Sequence, residues 1–483
     1  MENKAGAQIS KKAFTQSVII LAVIMLAAGV MTRVIPAGSF QRAMVEGREM
    51  LVPDSYQRVQ RPDYPAWRWL TAPVEVLWGE DSLLVIAIIF FILFVGGSFA
   101  VLEKSGILEA GLGWIVNRFQ GRKYQLLMVI SFFFMLLGAF FGIFEEVVPL
   151  VPLALALAHY LGWDPLVGLG MSILATNLGF SAAITNPFTL GVAQEIAGLP
   201  LFSGAWLRIP IFLVMYGVLA VFLVRYARRV EADPGASLVV NSSDEHQVQQ
   251  PERVFSVQSA SSGGLKRGTR WLGFFLILIL LVLVGIPFVP LLADYALPLV
   301  GVLFLMAGVG AGLLSQSSSK EVFRALREGV GGIAPGIILI LMAVSVKHIV
   351  VQGGVMDTVL HAASRPLAGS SPLVSSLMIY LLALLMEFFV ASGSAKAFLL
   401  MPILLPLADL VGVTRQIAVT AYSFGDGFSN TIYPTNPVLL IALGLSVVSY
   451  PRWLRWTLPL WGVVFLISLL FLALAVSVGY GPF

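Results

Sequence analysis

Apolar runs of about 20 residues recur along the whole chain, separated by short polar connections. An α-helix needs about 20 apolar residues to cross the hydrocarbon core of a bilayer, so each run predicts a membrane-spanning helix. The continuous runs predict nine such helices, at 14–35, 82–102, 124–141, 206–228, 271–289, 295–314, 331–352, 372–390 and 456–480. The pattern therefore predicts an all-α polytopic membrane protein.

Two further apolar stretches, 163–197 and 415–448, contain the same tripeptide. Its two copies are Thr185-Asn186-Pro187 and Thr435-Asn436-Pro437. Proline lacks the N–H donor and clashes with the preceding turn, so each copy predicts a broken helix. Freed backbone groups at membrane depth persist only where they are buried in protein or line a cavity. Two breaks at corresponding places in two halves of a chain are typical of a transporter's binding site.

Two shorter segments, 142–160 and 391–410, each lie between a continuous run and a broken one. Charged, glycine, serine or proline residues interrupt both, and Pro152 aligns with Pro402 in the register set by the tripeptides. We interpret these segments as re-entrant hairpins, which enter the membrane and return to the same side. The alternative for each is one ordinary kinked span.

A polar stretch at 230–269 divides the chain into an N-terminal repeat, 1–229, and a C-terminal repeat, 270–483. Its serine, glutamine and glycine content, with few apolar residues, predicts a flexible linker without chemistry of its own. Three other segments are expected at the membrane surface. They are the tryptophan-containing loop 36–81 and the short amphipathic stretches 106–118 and 354–367.

Composition excludes several classes of protein. The chain is 58% hydrophobic and 12% charged, with a net charge of +4 and no cysteine. The small positive excess is better explained by loops that set membrane orientation than by nucleic-acid binding. Without cysteine there is no disulfide or thiolate metal site, and we expect no bound metal or cofactor. No phosphate-binding loop, His-Glu-x-x-His motif or Gly-x-Ser-x-Gly motif is present, so we expect no enzyme.

The basic residues give conflicting evidence about orientation. They cluster at 104–123 and 225–270, and both clusters should be cytoplasmic. The predicted crossings between them are 124–141, the first broken span and 206–228. An odd number of crossings would place the two clusters on opposite sides, so one of these segments is not a simple crossing.

Five ionisable residues lie inside apolar segments: Glu145, Glu146, Glu387, Lys396 and Asp426. Each costs at least ~2.5–3.5 kcal/mol on insertion scales, so each needs a functional or structural reason. The acids outnumber the base, and an acid-rich cavity must be neutralised by protons, Na⁺ or a cationic substrate. We therefore assign Glu145, Glu146 and Asp426 to ion coupling. The alternative for Lys396 is a structural pair with Asp426 or Glu387 that locks two helices together.

The tip of the second hairpin is small and rich in hydroxyls, and it lies before the second tripeptide. Glycine allows close backbone approach to a ligand, while hydroxyls and helix N-termini can hold a carboxylate. The alternatives are close helix packing at the tip and capping of half-helices at the tripeptides. The candidate substrate-binding residues are Thr185, Asn186, Ser392, Gly393, Ser394, Lys396, Asn430, Thr435 and Asn436, and the helix breaks are at Pro187 and Pro437.

The stretches GAFFGIFEEVVPLVP, ATNLGFSAAITNPF, FFVASGSAKAFLLMPILLPLADLVGVTRQIAV and YSFGDGFSNTIYPTNP resemble those of the DcuC/YfcC group. That group holds anaerobic four-carbon-dicarboxylate carriers and proposed basic amino-acid antiporters, within the ion transporter superfamily. The resemblance implies two inverted repeats, each with a hairpin and a broken helix, an elevator mechanism and a homodimer. It also places substrate and coupling cation at the hairpin tips and helix breaks. One departure is Lys396, where the group's tip pattern Ser-Gly-Ser-Gly-Gln-Ala has glutamine.

Together these observations predict a secondary active transporter of a small charged organic solute in the bacterial inner membrane. The acid excess favours uptake or exchange of a basic amino acid. The alternative is a four-carbon dicarboxylate carrier that uses Lys396 and is coupled to Na⁺ or H⁺. A second alternative is a cation channel or exchanger without an organic substrate. The expected partners are the solute and the lipid bilayer, with no nucleic acid.

Overall fold

The structure is a computed structural model, and it is a bundle of helices with very little sheet. Among the residues it describes, eight helices are long and apolar enough to cross a membrane. This confirms the predicted all-α polytopic membrane fold. The described residues are 11–45, 48–79, 82–108, 110, 119, 121–239, 263–285, 290–315, 317–367 and 369–481.

In the described part of the first half, three helices precede a hairpin, a broken helix and a long closing helix. The helices are α1 (Lys11–Val34), α2 (Arg68–Glu75), α3 (Ser82–Lys104), α4 (Lys123–Phe141), α5 (Val151–Tyr160), α6 (Pro165–Ser181), α7 (Val192–Ile196) and α8 (Ala205–Ala232). A 3₁₀ turn, Glu145–Leu150, precedes α5, and a π turn, Pro187–Gly191, leads into α7. A second π turn, Gly170–Leu174, lies within α6.

The second half repeats the order of hairpin, broken helix and long closing helix. Its helices are α9 (Gly263–Gly285), α10 (Pro290–Leu314), α11 (Ser319–Ile333), α12 (Pro335–Gln352), α13 (Met356–Ser364), α14 (Pro372–Glu387), α15 (Gly393–Leu410), α16 (Arg415–Phe428), α17 (Pro437–Gly444) and α18 (Tyr450–Ser477). Short 3₁₀ turns follow α8, α13 and α16, at Pro234–Ala236, Arg365–Leu367 and Ser429–Thr431.

The first hairpin is longer than the segment 142–160 in which we predicted it. The Tyr124 ring at the start of α4 lies 5.8 Å from the Trp163 ring, which follows α5. The chain therefore enters along α4 and returns along α5 to the same end. Glycine lets α4 approach α6, because an added Cβ on Gly179 would lie 1.9 Å from the Met135 carbonyl oxygen. Segment 124–141 thus forms one arm of the hairpin, although it is long and apolar enough to cross a membrane.

The second hairpin has the same construction. An added Cβ on Gly412, which follows α15, would lie 4.0 Å from Pro372 at the start of α14. Segment 372–390 is therefore the entering arm, and 391–410 is only the returning arm. The length of an apolar run did not reveal this, because an arm of 16 to 19 residues has nearly the length of a span.

Contacts between helix ends resolve the conflict about orientation. At one end, Lys123 pairs with Glu231 at 2.5 Å, and Arg452 donates to the Val239 carbonyl at 3.0 Å. This is the end at which the first hairpin opens. With α4 and α5 forming a hairpin, only two crossings separate the basic clusters, which therefore share a side. At the other end, Arg415 donates to the Ala197 carbonyl at 2.8 Å, close to the opening of the second hairpin.

The two hairpins therefore open at opposite ends of the bundle. This is the arrangement that an inverted repeat predicts.

The loop before α3 forms a small cap at the end where the second hairpin opens. It contains the antiparallel pairs β1 (Gly38–Ser39) with β4 (Gln57–Arg58) and β2 (Arg42–Val45) with β3 (Arg48–Leu51). Asp357 of α13 accepts a hydrogen bond from the Phe40 backbone N–H at 2.9 Å, and β3 contacts α15. The cap therefore joins α13 to the second hairpin.

A cluster around Glu75 fixes α2 against α12. Glu75 pairs with Arg68 at 2.7 Å and accepts a hydrogen bond from Thr71 at 2.6 Å, and His348 of α12 lies 3.4 Å away. Burial raises the pKa of Glu75, but the hydrogen bonds from these three partners outweigh it. The pKa of Glu75 therefore lies below its usual value.

Of the segments that we predicted at the membrane surface, the structure describes 354–367 but little of 106–118. Segment 354–367 is helical, as α13 and the following 3₁₀ turn. Segment 106–118 lies mostly outside the described residues, as does the predicted linker beyond residue 239. We did not predict α11, an amphipathic helix that packs along α3 and pairs Glu328 with Lys104.

Candidate functional site

Each broken helix resumes at the proline of its tripeptide, with the preceding asparagine as the cap. Asn186 accepts hydrogen bonds through Oδ1 from the N–H groups of Phe188 and Thr189, at 3.0 and 3.2 Å. Asn436 does the same for Val438 and Leu439, at 3.0 and 3.3 Å. Asparagine is among the best residues for this role, because its side chain satisfies N–H groups that no helix carbonyl can reach. The side-chain amide of Asn186 also donates to the Phe180 carbonyl, at 3.2 Å.

The centre of the site is a buried cluster of three charges. Lys396 Nζ forms an ion pair with Glu387 and another with Asp426 Oδ1, the latter at 2.6 Å. All three side chains are almost completely shielded from the surface. They come from the two arms of the second hairpin and from α16. Removing such charges from water is costly, and close pairing offsets that cost only when each charge keeps its partners.

The charged cluster also joins the two halves of the chain. Thr189, in the resumed half of the first broken helix, donates a hydrogen bond to Asp426 Oδ2 at 3.1 Å. Gly393 at the second tip allows this approach, since an added Cβ would lie 2.5 Å from Thr189 Oγ1. Tyr422 donates to the Gly393 carbonyl at 2.5 Å. Helix breaks and the second hairpin tip thus meet at one place.

Asparagine side chains extend the cluster along the second break. The Asn436 amide donates to Asn430 Oδ1 at 2.9 Å and to Glu387 Oε1 at 3.5 Å. Nearby, Asn177 of the first broken helix donates to Thr431 at 3.2 Å. Two polar atoms here are buried without a partner among the described residues, Asn177 Oδ1 and Thr435 Oγ1. Buried polar atoms are rarely left unpaired, so these two are available to a bound ligand or water.

The tip of the first hairpin carries acids without basic partners. Glu145 and Glu146 are half-buried in the 3₁₀ turn, and no described Lys, Arg or His pairs with either. Glu145 lies close enough to Asp426 for their charges to interact. The tip turns at Gly142, whose φ is +66° and where an added Cβ would lie 2.2 Å from Asn186 Oδ1. The first tip therefore approaches the first break as the second tip approaches the second.

The two tips carry opposite charges at equivalent positions. Because Pro152 aligns with Pro402, Glu146 occupies in the first hairpin the position that Lys396 occupies in the second. Lys396 forms two ion pairs, whereas Glu146 forms none with any residue that the structure describes. The whole region thus contains more acidic than basic side chains.

The remaining predicted residues lie around this centre. Thr185 donates to the Phe140 carbonyl at 2.9 Å and so ties the first break to the first hairpin. Ser392 is exposed and caps α15 by accepting from the Ala395 N–H at 3.5 Å, while Ser394 is half-buried in the first turn of that helix. Neither serine contacts the charged cluster through a described hydrogen bond. Among the described residues, no group of three His, Asp or Glu side chains is placed to hold a metal ion.

Two residues of the cluster were not among our candidates for the site. Glu387 lies before the hairpin tip, and the sequence indicated it only as an alternative structural partner of Lys396. Thr189 was missed entirely. The sequence did contain a signal for Thr189, because the equivalent residue in the second half is the apolar Leu439. A polar residue in just one of the two repeats suggests that it makes a specific contact.

The sequence profile of the DcuC family, described as C4-dicarboxylate anaerobic carrier, matches residues 14–477. The chain belongs to the DcuC family. YfcC of Escherichia coli K12, named as a candidate basic amino acid antiporter, is 28% identical over 508 residues. That alignment covers 97% of both chains. An uncharacterised Haemophilus influenzae protein is 26% identical over 433 residues, which cover 89% of this chain and 82% of that one.

Among solved structures, the Alcanivorax borkumensis YdaH transporter is similar with a TM-score of 0.43 and 20% identity, covering 97% of this chain and 99% of that one. DcuC-family membership and the eight apolar helices make this protein an integral inner-membrane protein of a transporter family. Members of a transporter family act on small-molecule substrates, and the proteins themselves reside in the lipid bilayer, as expected from the sequence.

Proposed function

We propose that this DcuC-family protein is a secondary active transporter that takes up or exchanges a basic amino acid. The choice of a basic amino acid as the substrate rests on one observation. Lys396, the only basic residue in the two tip sequences, already pairs with Glu387 and Asp426, whereas Glu145 and Glu146 have no basic partner among the residues that the structure describes. A cationic side chain would supply the missing charge, and the name of YfcC points to the same class of solute.

In this proposal the substrate lies between the two tips and the two breaks. Its cationic group would approach Glu146, while Ser394 and the N-terminus of α15 would receive the α-carboxylate, because helix N-termini favour anions. The unpaired Thr435 hydroxyl and Asn177 carbonyl oxygen offer further hydrogen bonds to the polar groups of the solute.

We further propose an inverted repeat that works by an elevator motion in a homodimer. The opposite openings of the hairpins support the inverted repeat. The moving unit would comprise both hairpins and both broken helices, which the contact between Thr189 and Asp426 holds together. Glu145, Glu146 and Asp426 would couple transport to H⁺ or Na⁺, since they hold the negative charge that a cation can neutralise.

The second candidate is a four-carbon dicarboxylate carrier, favoured by the description of the family. Lys396 would then have to release Glu387 or Asp426 and pair with a carboxylate of the substrate instead. A cation channel or exchanger without organic substrate remains the third candidate, with Glu145, Glu146 and Asp426 along the ion path.

Ligand-induced stabilisation of the purified protein tests the proposal. A ligand that binds only the folded state stabilises it by about 2.7 kcal/mol at 100 times its Kd, which a thermal melt detects. We expect arginine, ornithine or lysine to raise the melting temperature, and Glu146→Gln to abolish the effect. Stabilisation by succinate or fumarate alone would support the dicarboxylate carrier. Stabilisation by Na⁺ but by no organic solute would support the third candidate.

A further inference from the structure

A large groove runs between α8 and α18, away from the hairpin tips. Its volume is about 640 Å³, within the range of roughly 300–1,000 Å³ that is usual for small-molecule sites. The walls are almost entirely apolar and include Gly217, Val221 and Phe222 of α8 and Leu460 and Val463 of α18. Both helices are long and apolar enough to span a membrane, so the groove lies at hydrocarbon depth over most of its length.

One end of this α8–α18 groove is strongly basic. Arg225 and Arg229 line it, are exposed, and form no ion pair with any described residue. Arg455 lies one helical turn before Pro459 and therefore on the same face of α18. This is the end at which Lys123 pairs with Glu231, where the basic clusters predict the cytoplasmic surface.

We propose that the α8–α18 groove binds an anionic phospholipid, with acyl chains along the apolar walls and the phosphate on Arg225 and Arg229. A guanidinium binds phosphate through two parallel hydrogen bonds, and arginine is less strongly hydrated than lysine. The apolar walls favour a lipid over a free anion. A second copy of the chain fits poorly, because a two-fold interface would bring the same unpaired arginines of both copies together.

Lipid binding to charge variants tests the headgroup contact. Affinity is measured by titrating the full-length protein in neutral detergent with phosphatidylglycerol or phosphatidylcholine and following native mass spectra. We expect Arg225→Gln/Arg229→Gln to weaken phosphatidylglycerol binding roughly 30-fold, since each basic residue near anionic headgroups contributes about a factor of five. Arg228→Gln is the matched control, because Arg228 lies over the Tyr124 ring at 5.0 Å and does not line the groove. Its binding should equal that of the wild type.

A second pair of variants tests the apolar walls. Gly217 lines the groove and Gly462 does not, and an added Cβ meets no atom within 4 Å at either position. Gly217→Leu should therefore fold and weaken lipid binding, while Gly462→Leu should leave it unchanged. Three results would each overturn the proposal: wild-type affinity in the double arginine variant, equal affinity for both lipids, or full competition by glycerol 3-phosphate.

Discussion

Replacing Lys396 should destabilise the protein far more than replacing either of its acidic partners. In the described part of the chain, Lys396 is the only cation between Glu387 and Asp426, and all three are buried. Lys396→Gln leaves two carboxylates close together without a counter-charge. Glu387→Gln instead leaves one cation with one anion, Asp426, at 2.6 Å. The two variants have similar shapes and remove one charge each, so they differ mainly in what remains unpaired.

The magnitudes follow from the partners that are left. Breaking a buried ion pair by removing one member costs about 3–5 kcal/mol, because the other charge stays buried alone. Lys396→Gln should lie at or above the upper end of this range, since it isolates two charges. Glu387→Gln loses hydrogen bonds to a charged group, worth about 1.5–3 kcal/mol, while the remaining pair stays neutral. We therefore expect a difference of about 2 kcal/mol, or roughly 30-fold in the unfolding equilibrium.

Unfolding in mixed micelles of dodecyl maltoside and dodecyl sulfate, followed by tryptophan fluorescence, gives both free energies; the chain has ten tryptophans. The variant Lys396→Gln/Glu387→Gln completes the cycle and should cost less than the two single changes together, by about 0.5–3 kcal/mol. Equal costs for the two single variants, or strict additivity in the double variant, would show that Lys396 does not neutralise this cluster.

Three further predictions concern the first tip, the second break and the cap. Gly142→Ala should destabilise the protein more than Gly162→Ala in the same titration; both glycines have positive φ, but only at Gly142 does an added Cβ clash. Equal losses of stability in the two variants would show that the close approach of Gly142 to Asn186 does not stabilise the protein. Asn436→Ser keeps a capping oxygen but loses the amide that donates to Asn430 and Glu387, so transport should fall and the free energy of unfolding should drop by about 1–3 kcal/mol; wild-type transport would assign the amide to structure alone. The pKa of Glu75 is lowered in the folded state, so its carboxylate stabilises the fold above pH 4.5, and this stabilisation is lost as the pH falls below that value. In Glu75→Gln the melting temperature should therefore depend less on pH below 4.5. A wild-type profile would contradict this.

The sequence predicted which segments meet at the candidate site better than it predicted the contacts between them. The breaks, the capping asparagines and the polar second tip follow from proline and asparagine chemistry, which acts locally. The contact between Thr189 and Asp426 joins residues far apart in the chain, and no local pattern marks it. Likewise, the sequence left open whether Lys396 pairs with Glu387 or with Asp426, and in the structure it pairs with both.

The hairpin arms and α11 show why other elements were misjudged. Hydropathy records how apolar a segment is but not the path of the chain, so it predicts spans at 124–141 and 372–390, where the structure has hairpin arms. The basic clusters at 104–123 and 225–270 argued against one of the spans between them, because two clusters on the same side of the membrane require an even number of crossings. For α11 the signal was a capping box, in which Ser318 and Glu321 exchange hydrogen bonds. It lies in a polar stretch between two apolar runs, where a search for spans passes over it.

The most direct test of the proposed function is counterflow of radiolabelled arginine into proteoliposomes preloaded with unlabelled arginine. We expect saturable accumulation that requires preloading, that ornithine competes with and succinate does not, and that Glu146→Gln abolishes. Counterflow of succinate or fumarate without any of arginine would contradict the proposal and make Lys396 the anion-binding residue. Cation flux without saturable counterflow of any organic solute would contradict transport of an organic solute altogether.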